Sequence, residues 1–280
     1  MATFQSYPSL LSQQFAQSLV MEFMGVMLFQ LLGGSAAAGW GAPVNGMALV
    51  VLIYTTADIS GAHLNPAVSI SLSMAGFFPV LHCIMYVLFQ IVGAIFGALI
   101  LSQLVPGMSI GMGDGGAGCF DRGMIPSNVT DAQIFWWEFF MTFTLISCVY
   151  NCCLGKPGHG SFTPLAVGLA LFASAGSGGQ FTGGSLNPAR VLGPAAVFGC
   201  GANVTWLYVG GQCLASICAM AVFGLVSHLG PYHPRTSTKT FELMTNEAGF
   251  VWINGQAPLR LQTIGQDQDL KSFSQRQRDI

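Results

Sequence analysis

The chain has 280 residues, of which 52% are hydrophobic and only 7% are charged, and its mean hydropathy is +0.60. An ordinary soluble domain carries roughly a quarter charged residues, so this composition excludes that class. Eleven of the twenty Asp, Glu, Lys and Arg residues lie after residue 230. The formal net charge of −2 gives no reason to expect nucleic acid as a partner. We therefore predict a membrane domain followed by a polar tail.

Charged residues are absent from four long segments of the chain, 23–57, 59–113, 157–189 and 191–234. Because a helix needs about 20 apolar residues to cross a bilayer, each segment has room for one or two spans. The patterning predicts six membrane-spanning helices, over residues 13–34, 43–60, 79–104, 132–153, 163–179 and 204–229.

Two copies of one tripeptide interrupt these apolar segments, Asn65-Pro66-Ala67 and Asn187-Pro188-Ala189. Proline lacks an N–H and restricts the residue before it, so each copy breaks the chain. At membrane depth such a break is tolerated only where it is packed in protein or lines a watery cavity. Breaks at corresponding places in two halves indicate a site between inverted repeats near the bilayer midplane. We predict two re-entrant half-helices, which begin at Asn65 and Asn187 and end near residues 75 and 198.

The predicted elements divide the chain into two similar halves. Repeat one covers about 13–104 and repeat two about 132–229, which together form a channel domain over 13–229. Three spans per half is an odd number, so the second half enters the membrane from the opposite side. The fold class predicted is therefore an all-α membrane protein with six spans and two half-helices in inverted repeats. Segments 1–12 and 230–280 are predicted to be cytoplasmic.

The distribution of basic residues predicts which side of the membrane each loop faces. The tail after residue 230 holds six Lys and Arg residues, whereas the 105–131 loop is net acidic. By the positive-inside rule both termini are cytoplasmic and that loop is outside. Asn128 begins a glycosylation sequon in the same loop. A plasma membrane is the expected location, with an internal membrane as the alternative.

Cysteine usage predicts no metal site. The eight cysteines do not form a metal-binding pattern, and neither a metal nor a cofactor is expected. Cys119 and Cys200 are both predicted outside, so a disulfide between them is one option that the sequence leaves open. Neither a nucleophile–base pair nor a metal constellation appears, so we predict no enzymatic activity.

The segments SGAHLNPAV (60–68) and GGSLNPARVLGP (183–194), together with Glu22 and Glu138, resemble the aquaporin or major intrinsic protein family. The resemblance covers roughly 13–229. It implies a homotetramer in a lipid bilayer, with one pore per subunit that conducts water or small uncharged solutes.

The chemistry of the two tripeptides fits such a pore. Asn65 and Asn187 would sit at the positive N-termini of their half-helices, where each side chain can cap the helix and still offer N–H donors to a solute. A water held by two donors turns its oxygen to both, which interrupts the hydrogen-bonded file that carries protons. Half-helix ends and an arginine are the general means of ion exclusion in aquaporin-type pores.

Four residues correspond by resemblance to the family's outer constriction. Arg190 follows the second tripeptide, and counting back along the family pattern places Asn45, Ala175 and Gly184 at the other positions. Water-selective members have an aromatic residue and a histidine there, which this chain lacks. The small residues predict a wide filter that passes water together with urea, glycerol, hydrogen peroxide, ammonia or metalloid acids. A strictly water-selective pore is the alternative.

Glu22, Glu138 and His63 are polar residues at membrane depth. We predict that each carboxylate accepts N–H groups from its re-entrant loop and that His63 belongs to the same network. The alternative is a coupled secondary transporter in which these residues relay protons. A junctional scaffold with the pore fold is a further, less favoured class.

Overall fold

The structure is a computed structural model that describes residues 8–155 and 158–229 and three short segments near the C-terminus. Within the described residues, eight α-helices follow one another in the order α1 Gln13–Gly34, α2 Gly41–Ser60, α3 Pro66–Met74, α4 Val80–Leu104, α5 Asp131–Val149, α6 Thr163–Thr182, α7 Pro188–Phe198 and α8 Thr205–Leu229. Six of them are long and apolar enough to cross a membrane. The predicted helical fold class and the six spans are confirmed.

Local signals account for most helix ends. Ser12 caps α1 by accepting the N–H of Phe15, and Thr130 caps α5 in a capping box with Gln133. The sixth helix extends three residues beyond the predicted end at 179, because Gly183 is the first residue with a left-handed backbone (φ 84°) and stops it. The α5 helix continues as a π turn, Tyr150–Leu154, and a 3-10 turn, Gly160–Phe162, precedes α6.

The helices pack with an internal two-fold pattern. In the first half α1 packs on α2 and α4, and in the second half α5 packs on α6 and α8. Each half-helix contacts the last long helix of both halves, since α3 lies against α4 and α8 while α7 lies against α8 and α4. The two broken segments are therefore held between the halves.

Glycines allow the long helices to approach closely. A Cβ at Gly93 would overlap the carbonyl oxygen of Phe23, and a Cβ at Gly97 would lie 2.5 Å from the carbonyl oxygen of Met27. Gly93 and Gly97 of α4 therefore lie at a close contact with α1. In the second half, Gly211 of α8 meets the carbonyl oxygen of Phe135 in the same way.

Large apolar side chains cover the outside of the helical domain, as expected for helices in lipid. Examples are Val51, Leu88, Phe96 and Phe140, each about half exposed. The loop between α4 and α5 is joined to the segment after α7 by a disulfide between Cys119 and Cys200. The option that the sequence left open for these two cysteines is thus realised.

A second unit of the chain spans Ser237–Ile280. Its described parts are three short strands, Met244–Thr245, Phe250–Trp252 and Leu259–Arg260, which form an antiparallel sheet in the order β1-β2-β3. The sequence did not predict these strands. The predicted cytoplasmic segments 1–12 and 230–280 otherwise lie largely outside the described residues.

Candidate functional site at the half-helix tips

Each repeated asparagine caps the half-helix that follows it. Asn65 Oδ1 accepts the N–H of Ala67 at 2.9 Å, and Asn187 Oδ1 accepts the N–H of Ala189 at 3.0 Å. Pro66 and Pro188 stand at the first helical position, where a missing N–H costs nothing. The positive ends of both helix dipoles therefore begin at the asparagines.

The two tips are joined by a reciprocal pair of hydrogen bonds. Asn65 Nδ2 donates to the carbonyl oxygen of Leu186 at 2.8 Å, and Asn187 Nδ2 donates to the carbonyl oxygen of Leu64 at 2.8 Å. Both leucines adopt a left-handed backbone, with φ of 49° and 54°. An amide nitrogen carries two N–H donors, so each asparagine keeps one donor beyond this bond.

Glu22 supports the first broken loop. Its Oε1 accepts from Ser60 Oγ at 2.7 Å and from the N–H of His63 at 3.0 Å. Its Oε2 accepts from the N–H of Leu64 and from Gln90 Nε2, both at 2.7 Å. The carboxylate is fully buried and each oxygen has two donors. Such saturation with donors compensates the cost of burying a charge.

Glu138 supports the second broken loop in the same manner. Its Oε1 accepts from Thr182 Oγ1 at 2.7 Å and from the N–H of Ser185 at 3.1 Å. Its Oε2 accepts from the N–H of Leu186 at 3.0 Å and from Gln212 Nε2 at 2.8 Å. It is also fully buried. In each repeat, two backbone amides of the broken loop and a hydroxyl at the end of the preceding helix bind the carboxylate, and a glutamine of another long helix supplies the fourth donor.

Several partners in these networks were given no role from the sequence. Ser60 and Thr182 are 122 positions apart, which is also the interval between Asn65 and Asn187. Tyr86 and Tyr208 share that interval, and their hydroxyls donate to the carbonyl oxygens of Ser60 and Thr182. Gln90 and Gln212 share it as well. A search for polar residues at this fixed offset would have found them.

Arg190 lies in the first turn of α7 and is only 2% exposed. Its Nε and Nη1 have no hydrogen-bond partner among the described residues. The guanidinium carbon instead lies 4.7 Å from the ring centroid of Phe29 and 5.9 Å from that of Phe120. Both distances are within the range of cation–π attraction.

The structure brings the other predicted filter residues together in two pairs. Asn45 and Arg190 both lie against Gly33. A Cβ added to Gly33 would overlap Asn45 Oδ1 and would lie 2.7 Å from Arg190 Nη2. Asn45 Nδ2 donates to a carbonyl of its own helix at 2.7 Å, while Oδ1 has no partner among the described side chains and backbone. A Cβ at Gly184 would lie 3.1 Å from that of Ala175, so these two positions are also in contact.

His63 and Asn128 complete the set of predicted site residues. His63 Nδ1 is 3.0 Å from Ser69 Oγ, and the ring packs edge-on against Phe78 at 4.6 Å between centroids. Asn128 is exposed on the loop between α4 and α5. The part of the chain that the structure describes contains no group of three or more His, Cys, Asp or Glu side chains able to hold a metal ion.

Comparison with known proteins agrees with this geometry. The family model described as "Major intrinsic protein" matches residues 9–223. Nodulin-26 of Glycine max is 32% identical over 252 residues, covering 85% of this chain and 89% of that protein. Aquaporin A of Dictyostelium discoideum is 33% identical over 220 residues, covering 72% of this chain and 75% of that protein.

A solved structure shows the same fold. The X-ray structure of the aquaglyceroporin from Plasmodium falciparum superimposes with a TM-score of 0.63 at 22% identity, covering 77% of this chain and 98% of that one.

Proposed function

Because the chain belongs to the major intrinsic protein family, whose members are passive channels and not enzymes, we propose that it conducts water and small uncharged solutes past the half-helix tips. The observation that carries this proposal is the reciprocal bonding of Asn65 and Asn187. Because the two half-helices are joined at their N-terminal ends, the second side-chain N–H of Asn65 and that of Asn187 lie at the same depth in the domain. Broken backbone at membrane depth is tolerated where it lines a watery route.

Proton exclusion follows from the same pair of asparagines. The N-termini of α3 and α7 bring two partial positive charges to the tips. A water that accepts from both amides cannot at the same time pass a proton along the file. The buried cation of Arg190 adds a second positive barrier. We propose that these two levels exclude protons and other cations.

The proposed solutes are urea, glycerol, hydrogen peroxide, ammonia and metalloid acids, in addition to water. Ala175 and Gly184 are in contact on one side of the proposed filter, and neither of them carries a bulky side chain. Asn45 contributes a carbonyl oxygen, unpaired among the described residues, beside the donors of Arg190. A filter with small walls, an acceptor and donors suits neutral polar solutes larger than water, which distinguishes it from a strictly water-selective pore.

The burial of the two carboxylates disfavours a coupled transporter. Glu22 and Glu138 are fully enclosed, and their oxygens are each occupied by two hydrogen-bond donors. Proton relay would require the carboxylate to release these donors, and the loop that carries the asparagine would lose its support. We propose that both residues, together with His63, have a supporting role.

Placement in the membrane is part of the same proposal. Six spans put both termini on one side, and the basic tail favours the cytoplasmic side of a plasma membrane. The α4–α5 loop then lies outside, with the exposed Asn128 available for glycosylation. The exposed apolar side chains of the outer helix faces suit lipid and three neighbouring copies in a homotetramer.

Stopped-flow swelling of proteoliposomes tests this function. We expect a low activation energy for water, rapid entry of urea, glycerol and hydrogen peroxide, and no dependence on a proton gradient. Ala175→His should suppress glycerol before water, because the imidazole narrows the proposed filter. Ala173→His, on an exposed face of the same helix, is the matched control. Water flux with rejection of all three solutes would disprove the wide filter, and gradient-driven uptake would favour the transporter.

A further inference from the structure

Two aromatic rings pack against the guanidinium of Arg190. Two of its nitrogens lack a hydrogen-bond partner among the described residues, and the rings of Phe29 and Phe120 lie within 6 Å of its carbon. Phe29 belongs to the membrane-spanning helix α1, but Phe120 is on the loop between α4 and α5. The position of Arg190 therefore depends partly on how that loop is held.

Phe120 is fixed among groups near the start and end of the second broken segment. Its ring is buried and lies 5.4 Å from the ring of Tyr208 between centroids. A Cβ at Gly183 would lie 3.2 Å from the same ring, and the carbonyl oxygen of Phe120 closely approaches Gly201. The ring thus fills the space between α8 and the loop that leads to Asn187.

The segment before Phe120 is fastened to the C-terminal end of α7. The N–H groups of Gly111 and Gly113 donate to the last carbonyls of that helix, at 2.9 and 2.7 Å. Asp114 Oδ1 accepts the N–H of Gly201 at 2.9 Å. The covalent tie is the disulfide between Cys119, directly before Phe120, and Cys200, two residues beyond the helix. One bond therefore links the ring to the helix that carries Arg190.

We propose that Phe120 and the Cys119–Cys200 disulfide are positioning elements for Arg190, so that solute selectivity depends on the disulfide being closed. This inference rests on the proposed function, in which solutes pass Arg190. An external dithiol opens the bond: it transfers two electrons and two protons to the sulfurs, which become thiols, and is itself oxidised to a cyclic disulfide. Once the loop is released, the ring of Phe120 no longer packs against the guanidinium of Arg190, and the filter loses a cation held in one position.

The test compares three perturbations of the full chain in proteoliposomes: dithiothreitol on the wild type, the double variant Cys119→Ala/Cys200→Ala, and Phe120→Leu. The measured quantity is the ratio of glycerol to water permeability, which is independent of the amount of folded channel. We expect all three to shift this ratio in the same direction, by about threefold or more, the scale of one cation–π contact. Combining Phe120→Leu with reduction should add nothing, because both act through the same ring.

Two matched controls separate this role from general loosening. Dithiothreitol should not change the ratio in Cys119→Ala/Cys200→Ala, although six other cysteines remain. Phe135→Leu removes a ring that packs against the same apolar cluster as Phe120 and makes no described ring contact with Arg190. It should leave the ratio unchanged.

An unchanged ratio after both reduction and Phe120→Leu would overturn the inference. A shift with Phe120→Leu but none on removing the disulfide would overturn the role of the disulfide. Failure of the proposed function would appear in the untreated wild type, as rejection of glycerol. In that case the ratio of proton to water permeability replaces the glycerol ratio, with the same pattern expected across the variants.

Discussion

Replacing the paired asparagines measures how strongly the half-helix tips are held together. Each side chain makes one capping bond, at 2.9 or 3.0 Å, and one bond to the opposite loop, at 2.8 Å. Loss of an N-cap costs about 1 kcal/mol, and loss of one neutral hydrogen bond costs about 1 kcal/mol. We expect Asn65→Ala to lower the free energy of unfolding by about 2 kcal/mol. Asn187→Ala should lower it by the same amount, because its contacts are equivalent.

Serine variants separate the two contributions. Serine caps a helix as well as asparagine does, but it has no amide that could donate to the carbonyl of the opposite loop. Asn65→Ser and Asn187→Ser should therefore each cost about 1 kcal/mol, the value of the bond between the loops alone. At both positions we expect the alanine variant to be the least stable, the serine variant to be intermediate and the wild type to be the most stable.

Denaturant titration of the protein in detergent micelles, followed by tryptophan fluorescence, gives the free energies of unfolding. Proton permeability of the same variants in vesicles gives the functional counterpart, which should rise when either amide donor is lost. Unequal costs at Asn65 and Asn187, differing by more than about 1 kcal/mol, would refute the equivalence of the two tips. Serine variants as unstable as the alanine variants would refute the role of the bond between the loops.

Two further predictions concern the support of the loops and the packing of the long helices. Gln212→Leu removes one of four hydrogen-bond donors to Glu138 and should lower the free energy of unfolding by about 1.5 kcal/mol. This value is the lower end for a hydrogen bond to a charged group, because Gln212 Oε1 has no partner to lose among the described residues. An unchanged denaturation midpoint would contradict this prediction. Gly97→Ala should destabilise the protein by about 1–3 kcal/mol, since the new Cβ lies 2.5 Å from a backbone oxygen of Met27. Gly176→Ala, whose added carbon would meet only the side chain of Ala42 among the described residues, at an ordinary 4.0 Å, should leave stability unchanged or raise it, and equal thermal shifts for the two glycine variants would argue against the close helix contact.

The helix pattern was predictable because it depends on local chemistry. Uninterrupted apolar length indicates a span, Asn-Pro indicates a break, and a glycine with a left-handed backbone ends a helix. Two helix ends differ from the prediction: α5 ends at Val149 and continues to Leu154 as a π turn, and α6 runs past the predicted end at 179, so that Gly178 and Gly179 are both helical. Glycine can remain within a helix when its neighbours pack closely, and Gly178 lies against Met141 and Trp137. Helix propensity, which depends only on residue type, gives no information about that contact.

The candidate site was predictable only where the two halves repeat a visible signal. The duplicated tripeptide and the two carboxylates stand out in a chain with so few charges. Gln90 and Gln212 do not stand out individually, because a single glutamine in an apolar helix has no distinguishing local signal, and only their shared interval of 122 positions marks them. Their importance comes from the packing of α4 and α8, which carries each amide to a carboxylate of another helix. The same is true of Phe120, whose contact with Arg190 joins residues far apart in the chain.

The sequence by itself determined that the protein is a two-fold arrangement of apolar helices with one break in each half, because apolar length and proline act on the chain locally. Only the tertiary structure decided which carbonyl each asparagine amide meets, which donors saturate Glu22 and Glu138, and how the Cys119–Cys200 disulfide brings a loop to Arg190. Those pairings join separate helices, and a bond between distant residues forms only when packing has already brought them within about 3 Å of each other.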